Sequence, residues 1–407
     1  MPSPHSPEDA WALLEPWLDA LPPEAMARQA ALDRVLAVSP RARVDVPPCD
    51  VSAMDGYALT GDLPRNTPLP VVATLAAGEA PGLTLGPGQV ARIMTGAAIP
   101  HGADRVVPVE LTDAGVESVT LLHPVELGAH IRRQGEIQRT GENLLPVGAT
   151  LSPGALALLA THGYARVEVR REPRVAVLAT GDEVVPPEST PRPGQVRNSH
   201  GDFLLAAGRG LGLRFADLGI ARDDRLSLRA EIQRGLGSEV LLISGGVSMG
   251  AYDLVEGVLA ELGAKVVFDG VAMQPGKPIV VFRHAGGLVF GLPGNPASAM
   301  VAYWLFVRPA LRRLMGHRDR LWSGALRGRL VEDLQAAPER RDRFLPAAAW
   351  AVDGEIRIRP FPPRGSHDVA TFARGNALLR LRAGAPALAA GEPAEILPLA
   401  AISLEPS

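Results

Sequence analysis

The chain has 407 residues, 46% of them hydrophobic and 21% charged, which is too long for one ordinary core and points to roughly three or four domains. A net charge of -3, with Lys and Arg scattered along the sequence, excludes the basic footprint of a nucleic-acid binder. The single cysteine, Cys49, excludes an intrachain disulfide or a thiolate metal cluster. The nine histidines show no paired spacing and argue against zinc, and no apolar run reaches the length of a membrane span.

The opening "MPSPHSPEDAW" lacks a basic segment followed by an apolar one, so a cytoplasmic protein is expected. Ser6 reads as a helix N-cap, followed by Pro7 and the acidic pair Glu8 and Asp9, with Trp11, Leu14 and Leu18 on one face. A second helix is predicted over 23–37. Between about 44 and 150 the texture turns to short β-rich runs broken by Gly and Pro, the pattern of a β-rich domain.

From 173 the runs "PRVAVLATG", "EVLLISGG" and "GLVFGLPG" each end in a glycine-bearing turn, with helical patterns at 200–211, 225–236 and 252–263. This predicts a parallel sheet covered by helices, whose carboxyl-end loops form the default ligand site. "NPASAMVAYWLFVRPALRRLMG" predicts one long helix opened by Asn295 and Pro296 and closed by Gly316. Beyond about 320, short strand-like runs predict a small β-barrel or sandwich. "GRGLG" at 208–212 has no strand before it and reads as a helix terminus.

Three strand-end turns carry the chemistry. "SGGVSMG" presents Ser244, Gly245, Gly246 and Ser248 at a helix start without the GK[ST] of a P-loop, an arrangement whose amides suit an anion. Asp253 just beyond it makes sense beside a phosphate only with a cation between them, so the pair reads as a Mg2+ and phosphate site. "LATGDEVVPP" repeats the arrangement with Thr180, Gly181, Asp182 and Glu183, and "GLPGNPASA" offers Pro293, Gly294 and Asn295. "RDD" at 222–224 reads equally as a helix cap or an acidic functional group. Lys277 sits in the Pro-braced turn "QPGKP". Asp55 and Thr95 lie in DG and TG turns of the β-rich segment.

The ordered set "PPCDVSAMDGYAL", "RIMTGAAIPHGADRVVPVE", "VAVLATGDEVV", "SGGVSMGAYD", "PGKP", "GLPGNPASA" with "FVRPALRRLMG", and "RGSHDVATFARGNAL" resembles the MoeA and gephyrin E-domain family of molybdopterin molybdenumtransferases over nearly the whole chain. The resemblance implies an α/β multidomain fold. A helical linker domain would span 1–46 plus 141–172, a β-rich domain 47–140, a MogA-like α/β molybdopterin-binding domain with helices on both sheet faces 173–318, and a C-terminal β-barrel 319–407. It also implies a homodimer whose cleft lies between the sheet domain of one subunit and the β-rich domain of the other. A molybdopterin adenylyltransferase is a further candidate partner. The implied reaction converts molybdate and adenylylated molybdopterin into molybdenum cofactor and AMP, assisted by Mg2+.

Position by position, the resemblance implies that Asp55 and Thr95 are cleft residues from the partner subunit. Glu183, Asp224 and Asp253 form its acidic set, with Asp223 an alternative to Asp224, and Glu183 and Asp253 hold the metal. Ser248 contacts the nucleotide or phosphate. Lys277, Ser298, Arg341 and Ser366 form the molybdate pocket, whose cationic and hydroxyl donors suit a tetrahedral oxyanion. "ERRDRF" leaves Arg340, Arg341 and Arg343 as candidates for the arginine. Three positions depart from the family pattern: Gln274 where a second lysine is usual, Ile137 where an acid is usual, and His200 closing "RNSH". A catalytically weakened paralogue that binds pterin or nucleotide, or serves as a scaffold, is therefore the alternative.

Overall fold

The computed structural model describes residues 4–79, 82–245, 252–335 and 340–405, with the side chains of Tyr252 and Asp253 outside that description. The chain divides into two compact units, Ala25–Val169 and the combination of Met1–Glu24 with Arg170–Ser407.

The first helix forms as the sequence predicts. Ser6 Oγ accepts the Asp9 N–H at 3.0 Å, Pro7 opens the Pro7–Leu14 helix, and Ala10, Trp11, Leu14 and Leu18 are buried. The helix predicted over 23–37 does not form: Pro23–Ala27 is a strand and Arg28–Ala30 a single 3-10 turn. Asp33 takes a φ of 61°, and the Asp33 and Leu36 N–H groups donate to the Leu151 and Ala149 carbonyls, so tertiary pairing takes donors that a helix would need. Leu36 then packs with Leu151, Leu159, Val167 and Val169.

Between about 44 and 150 the chain is β-rich, as expected, and the helix Pro153–Thr161 follows. The main sheet of the Ala25–Val169 unit has the strand order Arg105–Pro108, Gly56–Leu59, Val90–Ile93, Pro68–Leu75 and Ser118–Thr120.

In the second unit a six-stranded sheet runs in the order Phe215–Ala221, Val175–Thr180, Val240–Ser244, Gly287–Leu292, Val280–His284, Lys265–Asp269. Strand alternation divides its side chains between two cores. Val175, Val177, Val240, Leu242 and Phe290 pack against Leu204, Tyr303 and Phe306. Ala176, Leu178, Leu241, Ile243 and Val289 pack against Leu228, Ile232, Val258 and Leu259. Helices Ser199–Gly210, Arg225–Gly235 and Tyr252–Glu261 match the predicted spans within two residues at each end.

The sheet is mixed rather than wholly parallel. Val280–His284 runs antiparallel to Gly287–Leu292 through a two-residue turn, Ala285 and Gly286, both at positive φ. The long predicted helix is also interrupted: Pro296–Ala302 and Arg308–Leu314 are α-helical, with a π segment at Tyr303–Val307 between them. Pro309 cannot donate and crowds the preceding turn, and the wider π turn accommodates it. Gly316, at a φ of 89°, follows the helix end.

Strands Leu326–Leu330, Asp342–Val352, Glu355–Pro360, Ala377–Leu381 and Pro393–Pro398 close into a five-stranded barrel, because Asp342–Val352 pairs with Ala377–Leu381 as well as with Glu355–Pro360. The barrel surrounds Leu345, Ala347, Ile358, Leu379 and Ile396.

Candidate functional site

The parallel strands reverse their order of addition between Val175–Thr180 and Val240–Ser244, and a ligand crevice is expected outside the carboxyl ends of strands at such a switch. A cavity of about 810 Å³ lies there, lined by Thr180, Glu183, Ser244, Gly245, the segments 273–278 and 293–296 and Ser298, and closed by C-terminal residues that include Arg341, Arg343 and Ser366. Its floor is backbone. Gly245 has a φ of 92°, and a Cβ there would lie 2.2 Å from the Thr180 carbonyl oxygen, so only glycine fits. The neighbouring hydroxyls Thr180 Oγ1 and Ser244 Oγ are buried and unpartnered among the described residues.

Charge in the described lining is one-sided: Arg197, Lys277, Arg341 and Arg343 face it with one carboxylate, Glu183. His200 also lines it, and burial holds its imidazole below the ordinary value, so it is neutral at neutral pH. Ser298 is buried in the first turn of the Pro296–Ala302 helix. The loop bearing Ser366 is fixed to that helix, since Asn295 Nδ2 donates to Ser366 Oγ at 2.8 Å and the Ala297 N–H donates to the Ser366 carbonyl at 3.1 Å. Asp368 braces the same loop: it accepts from the Arg364 N–H and from the Thr371 hydroxyl and N–H, which lower its carboxyl to about 2.

The structure thus brings together Thr180, Glu183, Ser244, Gly245, Lys277, Pro293, Gly294, Asn295, Ser298, Arg341 and Ser366. Gly181 shapes the turn without lining the cavity; a Cβ on it would lie 2.6 Å from the Glu183 carboxylate. Gly246 and Ser248 lie outside the described residues, as does the Asp253 side chain. Asp224 is not among the lining residues. It caps the Arg225–Gly235 helix, accepting the Leu226 and Ser227 N–H groups at 3.1 and 2.9 Å, while Asp223 accepts from the Asp182 N–H.

Asp55 and Thr95 belong to the Ala25–Val169 unit and bond to each other. The Thr95 N–H and hydroxyl reach Asp55 Oδ1 at 2.6 and 2.7 Å and lower the Asp55 carboxyl below the ordinary carboxylate value. Ile137 is 65% exposed.

Sequence reasoning missed Arg197 and Asn198 as lining residues; it placed Gln274 at the anion pocket and left Arg340, Arg341 and Arg343 open, of which Arg341 and Arg343 line the cavity. The signal for Arg343 was present: if "RRDRF" is a strand, Arg341 and Arg343 share a face and Asp342 takes the other.

Sequence profiles match in three blocks: the MoeA N-terminal region (domain I and II) over 5–163, a probable molybdopterin binding domain over 176–313, and the MoeA C-terminal region (domain IV) over 327–399. A molybdopterin molybdenumtransferase of Nostoc sp. is 34% identical over 383 residues, covering 91% of this chain and 87% of its own. Molybdopterin molybdenumtransferase 2 of Mycobacterium tuberculosis is 36% identical over 369 residues, covering 86% and 88%. The chain belongs to the molybdopterin molybdenumtransferase family.

The crystal structure of the molybdopterin biosynthesis MoeA protein of Pyrococcus horikosii superposes with a TM-score of 0.83 at 31% identity, covering 98% of this chain and all of the other. In this molybdopterin molybdenumtransferase family member the cavity draws on two profile blocks. The molybdopterin-binding block supplies the strand ends, and the C-terminal block supplies Arg341, Arg343 and Ser366.

Proposed function

We propose that this protein inserts molybdate into adenylylated molybdopterin and releases AMP. The observation that carries the reading is the cationic, hydroxyl-lined cavity at the strand switch, together with the names of relatives that match most of the chain. Lys277 and Arg341 supply fixed positive charge, and Ser298 and Ser366 supply hydroxyl donors, a set that suits a tetrahedral dianion. Gly245 and Gly294 line the cavity with backbone rather than side chain, a surface that suits a phosphate.

The donor set also fits Mg2+, which takes hard oxygen ligands and commonly one or two carboxylates with substrate phosphates. Among the described residues no three His, Cys, Asp or Glu side chains cluster as an all-protein metal cage. Glu183 is the described carboxylate on the cavity wall, and Asp253 is assigned with it. Bound Mg2+ would neutralise charge on the leaving AMP. Asp55 and Thr95 are assigned to the cleft of a homodimer, contributed by the second subunit. The domain division is 1–46 plus 141–172, 47–140, 173–318 and 319–407, and the protein acts in the cytoplasm, with a molybdopterin adenylyltransferase as a candidate partner. No helix among the described residues is long and apolar enough to cross a membrane.

The test is AMP release from adenylylated molybdopterin by the purified protein, with and without molybdate and Mg2+. Release should require both, and Lys277→Ala should lower it about tenfold or more at limiting molybdate, the magnitude of one charged hydrogen bond. Absence of AMP at every molybdate concentration would sink the reading.

A further inference from the structure

Gln274 leaves the anion pocket without a cation at its position. The Met273–Gln274 strand lies parallel to the start of Asp342–Val352, with Gln274 in register with Arg343. Registered residues of paired strands project to the same face, and both residues line the cavity. The acid next to Arg343 in the chain cannot neutralise it, because Asp342 projects the other way. Its buried carboxylate accepts from Arg380 Nε at 2.8 Å and from the Ala383 N–H at 3.0 Å. Among the described residues no carboxylate forms an ion pair with Arg343, Arg341 or Lys277. Arg341, the residue just before the Asp342–Val352 strand, also lines the cavity.

We infer that Arg343 supplies from the neighbouring strand the positive charge that Gln274 lacks, so that molybdate is held by Lys277, Arg341 and Arg343. The charge is moved by one strand and the pocket keeps its oxyanion affinity. The inference rests on the transferase reading and adds to it a specificity-determining residue. An arginine here changes the recognition as well as restoring the charge, since its planar fork gives two parallel donors to one oxyanion where an ammonium gives a point charge.

The experiment titrates sodium molybdate into the full-length protein by calorimetry and measures molybdate-dependent AMP release in parallel. Arg343→Gln should weaken molybdate binding about tenfold or more, the loss expected of one charged hydrogen bond. It should raise the half-saturating molybdate concentration by the same factor and leave that for adenylylated molybdopterin unchanged. Arg343→Met, which keeps the apolar stem, provides a second neutral variant should the glutamine variant not fold. Adding Gln274→Lys to either should recover most of the affinity, and Arg340→Gln, outside the cavity, should change nothing.

Equal molybdate affinity in wild type and both neutral variants overturns the inference while leaving the transferase reading intact. Loss without recovery by Gln274→Lys overturns the exchange of charge between the two positions. A wild type that releases no AMP removes the transferase reading, and the direct titration still decides whether Arg343 binds the oxyanion.

Discussion

At the scale of single residues, the cavity floor and the Asp55 turn give contrasting predictions. Gly245→Ala would place a methyl 2.2 Å from a backbone oxygen at a φ of 92°, so the strand ends must separate. The expected cost is about 3 kcal/mol or more in urea denaturation, with loss of phosphate binding. Gly194→Ala is the control, since it also has positive φ but nothing within 4 Å of the added carbon, and it should cost only about 1 kcal/mol. Similar losses in both variants would show that conformation rather than contact limits position 245. Asp55 is held below the ordinary carboxylate value first by the Thr95 N–H and then by its hydroxyl. Thr95→Val removes only the second, so the Asp55 carboxyl should titrate at higher pH in carboxyl NMR, short of the full return that losing both bonds would give.

At the scale of elements, the loop carrying Ser366 depends on Asp368, which caps the Val369–Ala373 helix and accepts the Arg364 N–H. Asp368→Ala should cost about 0.5–2 kcal/mol, as cap losses do. It should raise the half-saturating molybdate concentration more than the stability loss alone explains, because the loop fixes Ser366 against Asn295. Steady-state kinetics at saturating pterin check this. Elements with their own local signals were legible in the sequence. Ser6 with Pro7 marked one helix start, and the helices at 199–210, 225–235 and 252–261 followed from their periodicity. Helix-favouring residues at 23–37 misled because Asp33 and Leu36 pair with residues about 115 positions away, beyond any local pattern. The hairpin at Ala285–Gly286 carries no Asn-Gly or Asp-Gly signal, so the antiparallel strand before it was not read. Two glycines that the strand-end turns single out, Gly245 and Gly294, line the cavity. The choice among Arg340, Arg341 and Arg343 stayed open, since which of them face the cavity depends on where the strand begins and on its pairing with Met273–Gln274.

At the scale of the whole molecule, two ion networks in the second unit join segments distant in sequence. Burial pushes the Glu239 carboxyl up, but bonds from Arg174 and Arg171 outweigh it and hold the group at about 2, below its ordinary 4.5. A depressed acid contributes stability that is fully present above its ordinary value and is lost as pH falls toward the folded one. Glu239→Gln should therefore flatten the acid limb of the stability curve between about pH 4.5 and 2, measured by urea denaturation across pH. The second network joins the first helix to the barrel: Arg380 donates to Asp342 and, at 2.5 Å, to Glu8. Phe344, Phe372 and Leu378 of the barrel region share a core with Trp11, Leu14 and the sheet, so removing residues 320–407 would unfold more than it deletes. Arg380→Leu tests this coupling more cleanly. It leaves Asp342 charged, buried and short of its partner, which should cost about 3–5 kcal/mol. It should also weaken molybdate binding, because Asp342 lies between the two cavity arginines. Arg380→Leu with Asp342→Leu removes the orphaned charge and should recover most of the stability. If the double variant is as unstable as the single one, the cost comes from lost packing against Trp322 and Phe344, which the Arg380 guanidinium covers, and not from the stranded carboxylate.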